Sequence, residues 1–155
     1  MSQPQQKNDY VEKLTTLAQQ AISDISNLSF PVIQFCGPIS TGGFGNTTEN
    51  IDCLISVINF AKKRGFSVFD QISYERRLDR ILGKHDGYDY PILDYFYKPI
   101  YSSGKINGVV FLPLWQSSIG SNWEHEYAKT LGIPIFYIEN MTSSEIDNIY
   151  KILKK

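Results

Sequence analysis

The stretch Gly108–Ile138, GVVFLPLWQSSIGSNWEHEYAKTLGIPIFYI, decides the fold. It opens on Val109-Val110-Phe111-Leu112, an apolar run too short for a helix and rich in β-branched and aromatic residues, which reads as a buried strand. A polar loop, Gln116–Ser121, leads into a segment with Trp123, Tyr127, Ala128 and Leu131 at helical spacing. Gly132 ends that helix, and Ile133–Ile138 reads as the next strand. Strand, loop, helix and strand in this order make a right-handed βαβ crossover. The loop then lies at the carboxyl end of its strand, where open α/β sheets bind ligands. Glu124 is expected in the first turn of the helix, facing that end.

The rest of the chain repeats the pattern. Asn8 to about Leu28 forms one amphipathic helix, with Tyr10, Leu14, Leu17, Ala18, Ala21, Ile22 and Ile25 on a single face. That face either packs on the sheet or meets a neighbouring subunit. Residues 1–7 are polar and expected to fray. Pro31–Cys36 reads as the first strand, Gly37–Gly45 as a glycine-dense loop, and Asn46 with Glu49 as a capping-box-like start to a helix reaching Lys63. Phe66–Phe69 is a short second strand ending at Asp70-Gln71. Tyr74–Leu82 is helical and closed by Gly83, 84–87 is a turn, and Pro91 to Tyr101 is a further helix that carries Asp94 among aromatic residues. Thr142 and Glu145 form a capping box before the last helix.

The expected architecture is a three-layer α-β-α sandwich around a mostly parallel sheet of four or five strands, Rossmann- or flavodoxin-like. The first strand should be central, with the second and third on either side. Residues 1–30 add an N-terminal helix to an α/β domain at 31–155, one domain overall. A chain of 155 residues with 42% hydrophobic and 20% charged content is long and apolar enough for a real core. The formal net charge of −1 gives no support to nucleic-acid or membrane-surface binding. No apolar run approaches the ~20 residues that span a bilayer. Cys36 and Cys53 are expected to be reduced and buried, and the N-terminus has no apolar signal core, so a cytoplasmic location is expected.

Three strand ends converge: Gly37–Gly45, Asp70-Gln71 and Trp115–Ser121. The glycine loop can bring backbone N–H groups close to an anion. It lacks the Gly-Lys-Ser/Thr ending of a Walker A loop and is not G-x-G-x-x-G. Ser118, Gly120 and Ser121 suit a phosphate or a sugar at a helix start. A local alternative has Ser121 capping the helix, with Glu124 completing a capping box. Beside a sugar, an ionised Glu124 would be a nucleophile or would stabilise an oxocarbenium-like centre. Asp94 is either a second carboxylate of the site or plainly solvated. Phe44, Tyr90, Phe96, Tyr97 and Trp115 could include a base-stacking surface. His85 and His125 lack metal-ligand spacing, so neither metal nor cofactor is expected.

Phe35–Gly43, Ile92–Tyr97 and Ser118–Ala128 together resemble the nucleoside 2-deoxyribosyltransferase-like superfamily, over about residues 31–140. Gly120, Ser121, Glu124 and Ala128 match its G-[TS]-x-x-E-x-x-x-A pattern. The resemblance implies that Glu124 is the catalytic glutamate and that Asp94 is the active-site aspartate of the preceding helix. Substrate contacts are expected from Gly37, Ser40, Thr41, Gly42, Asp70, Ser118, Gly120 and Ser121, which lie at the converging strand ends and the helix starts that follow them. Ser118 stands where members acting on nucleosides carry aspartate and those hydrolysing nucleotides carry serine. Gln34, Pro38, Asn107 and Glu126 depart from the family's usual residues. The implied activity is cleavage or transfer at the N-glycosidic bond of a nucleoside or its 5′-monophosphate. The alternative is a non-catalytic nucleotide-binding module of the same fold. A homodimer or larger homo-oligomer is also implied, with the N-terminal helix and the aromatics Tyr97 or Tyr101 offering apolar surface.

Overall fold

The computed structural model describes residues 4–83 and 87–155. It contains helix α1 (Pro4–Ser26), strand β1 (Val32–Cys36), α2 (Thr47–Lys63), β2 (Ser67–Val68) and α3 (Ile72–Leu82). A helical segment follows in three pieces: α4 (Tyr90–Ile92), a wide π-helical turn (Leu93–Tyr97) and α5 (Lys98–Ser102). Then come β3 (Gly108–Phe111), a 3-10 turn (Trp115–Ser117), α6 (Ile119–Leu131), β4 (Ile135–Tyr137) and α7 (Ser143–Leu153). Met1–Gln3 and the expected turn residues Lys84, His85 and Asp86 lie outside the described residues.

The sheet has four strands, all parallel, in the order β2-β1-β3-β4. The first strand is central and flanked by the second and third, as the sequence predicts. The register brings Gln34 opposite Val109 and Cys36 opposite Phe111. Strand alternation divides the core in two. Val32, Cys36, Val109 and Phe111 face α1, α3, α5 and α6, while Ile33, Phe35, Val68, Val110 and Leu112 face α2 and α7. Gln34 sits in the first of these faces, a wholly buried amide in a strand that is otherwise apolar.

Several boundaries differ from expectation. Helix α1 begins at Pro4, so residues 4–7 are helical rather than frayed. Its apolar face is satisfied within the chain, against α3, the π turn and α5. Tyr97 and Tyr101, expected to be exposed, are 6% and 1% exposed because α1 and α6 pack around them. The π turn sits just before Pro99, which has no N–H to continue the regular helical ladder, and Lys98 N–H bonds instead to the Leu93 carbonyl five residues back. Both cysteines are free thiols, Cys36 buried and Cys53 half-buried.

Asn107 ties the entry of β3 to the start of β1. Its N–H donates to the Val32 carbonyl at 2.8 Å, and its side-chain Oδ1 accepts from Val32 N–H at 2.8 Å. Truncation leaves the Val32 N–H without its partner. Asn107→Ala should therefore destabilise the protein by about 1–2 kcal/mol. Urea unfolding should show a lower midpoint at an unchanged slope; an unchanged midpoint would mean that water replaces the amide at no cost.

Candidate functional site

Helix α6 starts one turn earlier than the sequence suggests. Ser118, not Ser121, is its N-cap: Ser118 Oγ accepts from Ser121 N–H at 3.2 Å. Glu124 therefore sits in the second turn, beyond the reach of the terminal N–H groups. It points into the core side of the helix and is only 8% exposed. The alternative of a capping box at Ser121 and Glu124 therefore falls, and Glu124 stands outside the first turn, where it was expected.

Three donors meet one oxygen of that carboxylate. Gln34 Nε2 donates to Glu124 Oε2 at 2.8 Å, Tyr101 OH at 3.0 Å, and the Cys36 thiol at 3.4 Å. Gln34 and Cys36 are two residues apart on β1, so both side chains leave the same face of the sheet. Tyr101 arrives from α5 and also touches Cys36 Sγ at 3.5 Å. Among the described residues nothing bonds to Oε1. Burial pushes the Glu124 pKa up to about 7, although the Tyr101, Cys36 and Gln34 donors pull the other way. Burial first, and then the charges around them, raise the Cys36 and Tyr101 pKa values well above the ordinary, so both remain protonated donors.

Glu124 opens into a cleft whose wall includes Gly37, Ser40, Ser118, Gly120 and Ser121. Four other expected residues stand elsewhere. Asp94 lies on the solvent face of the π turn, exposed, while its neighbours Leu93 and Tyr97 line the cleft. Asp70 turns to α2, where Lys62 Nζ lies 3.0 Å from its carboxylate. Thr41 Oγ1 is spent on the Ile119 N–H at 2.9 Å. Gly42 packs so tightly that a Cβ there would lie 2.1 Å from the Ser117 carbonyl oxygen, and its φ is +67°. Gly43 N–H adds a 2.7 Å bond to Ser117 Oγ. From α2, Asn50 Nδ2 holds the carbonyls of Ile39 and Gly42 at 3.0 and 3.1 Å. The glycine loop is thus a brace between α2 and the start of α6 rather than an open anion cradle.

The second carboxylates of the cleft are Glu75 and Asp89. Burial, with Asp79, Glu124 and Asp89 adding negative charge, raises the Glu75 pKa to about 7. Gln71, the residue after Asp70, donates its Nε2 to the Phe35 carbonyl at 2.6 Å, which leaves its buried Oε1 without a partner. Ser121 Oγ is also buried and unpartnered. Of the aromatics, Tyr97 lines the cleft together with Tyr88. Phe96 is core, Tyr90 and Phe44 are exposed, and Trp115 stacks on His125 at 4.4 Å in a separate cluster with Tyr137. Among the described residues no group of three or more His, Cys, Asp or Glu could hold a metal ion.

Compared with protein-family models, curated proteins and solved structures, the chain matches none of them. The site is consequently read from its own chemistry. Two carboxyl groups whose pKa values burial pushes to about 7 share one cleft, which makes it the candidate site.

Because the folded-state pKa of Glu124 is raised, the native protein binds a proton that the unfolded chain releases between pH 4.5 and about 7. Stability from this group is present at low pH and lost as pH rises through that window. The full effect is on the order of 3 kcal/mol. Glu124→Gln should therefore be more stable than wild type at pH 8, with the gap closing towards pH 5. Urea midpoints at the two pH values test this; a gap that does not change with pH would mean that Glu124 titrates normally.

Proposed function

We propose that this chain cleaves, or exchanges, the N-glycosidic bond of a nucleoside, with Glu124 as the nucleophile. The observation that carries the reading is the division of labour within the Glu124 carboxylate: Oε2 takes all three donors, and Oε1 is left towards the cleft. Gln34, Cys36 and Tyr101 lock the side chain in one orientation. When Oε1 attacks C1′, the C1′–N bond breaks and its electron pair leaves with the base. Oε2 becomes the carbonyl oxygen of a glycosyl ester and keeps its donors. Water then releases the sugar, or a second base takes it, and the carboxylate is restored. A desolvated carboxylate is a stronger nucleophile than a hydrated one, and burial supplies that here.

The second carboxyl role passes from Asp94 to Glu75 and Asp89, which face the cleft and can accept hydrogen bonds from sugar hydroxyls. A free nucleoside suits the site better than its 5′-monophosphate. Three of the N–H groups that could hold a phosphate are used within the protein: Ile119 N–H on Thr41, Gly43 N–H on Ser117 and Ser121 N–H on Ser118. Ser118 Oγ has only its own proton left to offer.

The nucleophile works ionised, so kcat/KM should rise with pH through about 7 and level off above it. Tyr101→Phe removes a donor that favours the charged form, so its limb should move to higher pH. Glu124→Ala should cut base release from a nucleoside panel by ~10³-fold or more while circular dichroism stays native. Base release that survives in Glu124→Ala would remove the nucleophile from the scheme.

A further inference from the structure

Two groups in the wall of the cleft have no use within the protein. Ser121 is 0% exposed and Gln71 2% exposed, and among the described residues neither Ser121 Oγ nor Gln71 Oε1 has a hydrogen-bond partner. Both residues line the cleft together with Glu124. A buried polar atom without a partner is costly, so two of them in one wall point to a partner that arrives from outside. The Gln71 amide is fixed by the 2.6 Å bond from its Nε2 to the Phe35 carbonyl, so Oε1 can only accept. Ser121 N–H is taken by Ser118 Oγ, and the Ser121 hydroxyl is left to accept a proton and to offer its own. A hydroxyl group satisfies either atom.

The placement of the two atoms suggests which hydroxyls. Ser121 precedes Glu124 by three residues on α6, so the two side chains stand on one face of the helix, about a turn apart. Phe35, to which Gln71 is tied, lies between Gln34 and Cys36, the two β1 residues that hold Glu124 Oε2. Both acceptors thus belong to the elements that carry and hold the carboxylate. When C1′ of a sugar lies against Glu124 Oε1, the hydroxyls that follow along the ring are those of C2′ and C3′. We propose that the ligand is a ribonucleoside rather than a 2′-deoxyribonucleoside, its C2′ and C3′ hydroxyls donating one to each of Ser121 Oγ and Gln71 Oε1. That assignment rests on the nucleoside reading of the cleft but not on Glu124 acting as the nucleophile. The 5′-hydroxyl is left to the carboxyl groups of the wall. A deoxy sugar leaves one of the two atoms buried and unpaired, which is how a site built to bond a hydroxyl rejects the analogue that lacks it.

Glu124→Gln, which removes the nucleophile, is titrated calorimetrically with the four common ribonucleosides and with their 2′-deoxy and 3′-deoxy forms. In at least one series the ribonucleoside should bind about tenfold tighter or more than either deoxy form, the scale of one hydrogen bond to a buried acceptor. Adding Ser121→Ala should abolish the preference for one of the two hydroxyls and keep the other; adding Gln71→Met should do the converse. Should Gln71→Met fail to fold, because it also releases the Phe35 carbonyl, the deoxy series on Glu124→Gln decides. Urea unfolding supplies a readout without ligand. Loss of an unpartnered hydroxyl removes a buried penalty, so Ser121→Ala alone should unfold at the same or a higher urea midpoint. A lower midpoint would mean that Ser121 Oγ already has a partner in solution and would overturn its assignment to a ligand. Equal affinity for ribo and deoxy forms in every series that binds would overturn the ribonucleoside assignment and leave the nucleoside reading standing. Binding by no member of any series would overturn both. Base release by the wild type tests the nucleophile separately.

Discussion

A carboxylate stripped of most of its water is the constraint on which the site depends. Glu124 would be costly to bury alone, and three donors on Oε2 make the burial tolerable without using its second oxygen. Each donor comes from an element fixed for other reasons. Gln34 and Cys36 belong to the central strand, paired on both sides, and Tyr101 is packed beneath α1. Precision at the carboxylate is thus inherited from the sheet and from helix packing, not from a loop. The raised pKa shows that the donors only partly offset burial. That balance brings its titration close to neutral pH.

The loops around the cleft serve a different purpose. Residues 37–45 look like a phosphate loop by composition, yet several of their polar groups are occupied. Asn50 ties the loop to α2, and Thr41 and Gly43 tie it to the turn before α6. Gly42 is required because Ser117 leaves no room for a Cβ and because its φ is positive. Glycine here reflects close packing of one loop on another. The surfaces left for a ligand are Gly37, Ser40 and the acceptor-rich wall opposite.

How much of this the sequence discloses depends on which kind of spacing matters. Strand alternation and helical periodicity are local, so the four parallel strands and their order follow from Gly108–Ile138 and its counterparts. Glu124 was legible from its place after a strand and a serine-glycine loop. The cap at Ser118 was not, because Ser118 and Ser121 are equally good caps by composition, and only the backbone shows which one begins the helix. For Asp94 the sequence leaves a site role and a solvated one open, and its exposed position in the π turn could not be read, because such a turn changes the phase of a helix without a residue type that announces it, beyond Pro99. Glu75 and Asp89 reach the cleft by tertiary packing of α3 and of the residues before α4, to which no motif points. Gln34 did leave a signal, as an amide at a buried position of an otherwise apolar strand. Such a residue in a central strand asks for a partner, and the partner is the catalytic candidate.

The central position of β1 has a consequence for how the chain is made. Its hydrogen-bonded partner at Asn107 lies 75 residues downstream, and the Gln34–Glu124 contact spans 90. During synthesis, Val32–Cys36 emerges first among the strands and waits for β3 before its second edge is covered. The two-residue β2 can cover only part of the other edge. Parallel pairing of this kind closes long loops before it returns any stabilisation, so it forms late. The nascent chain therefore carries an apolar strand with one edge uncovered over the 75 residues between Val32 and Asn107. The same choice that buries the donors of Glu124 deepest leaves them longest without their acceptor.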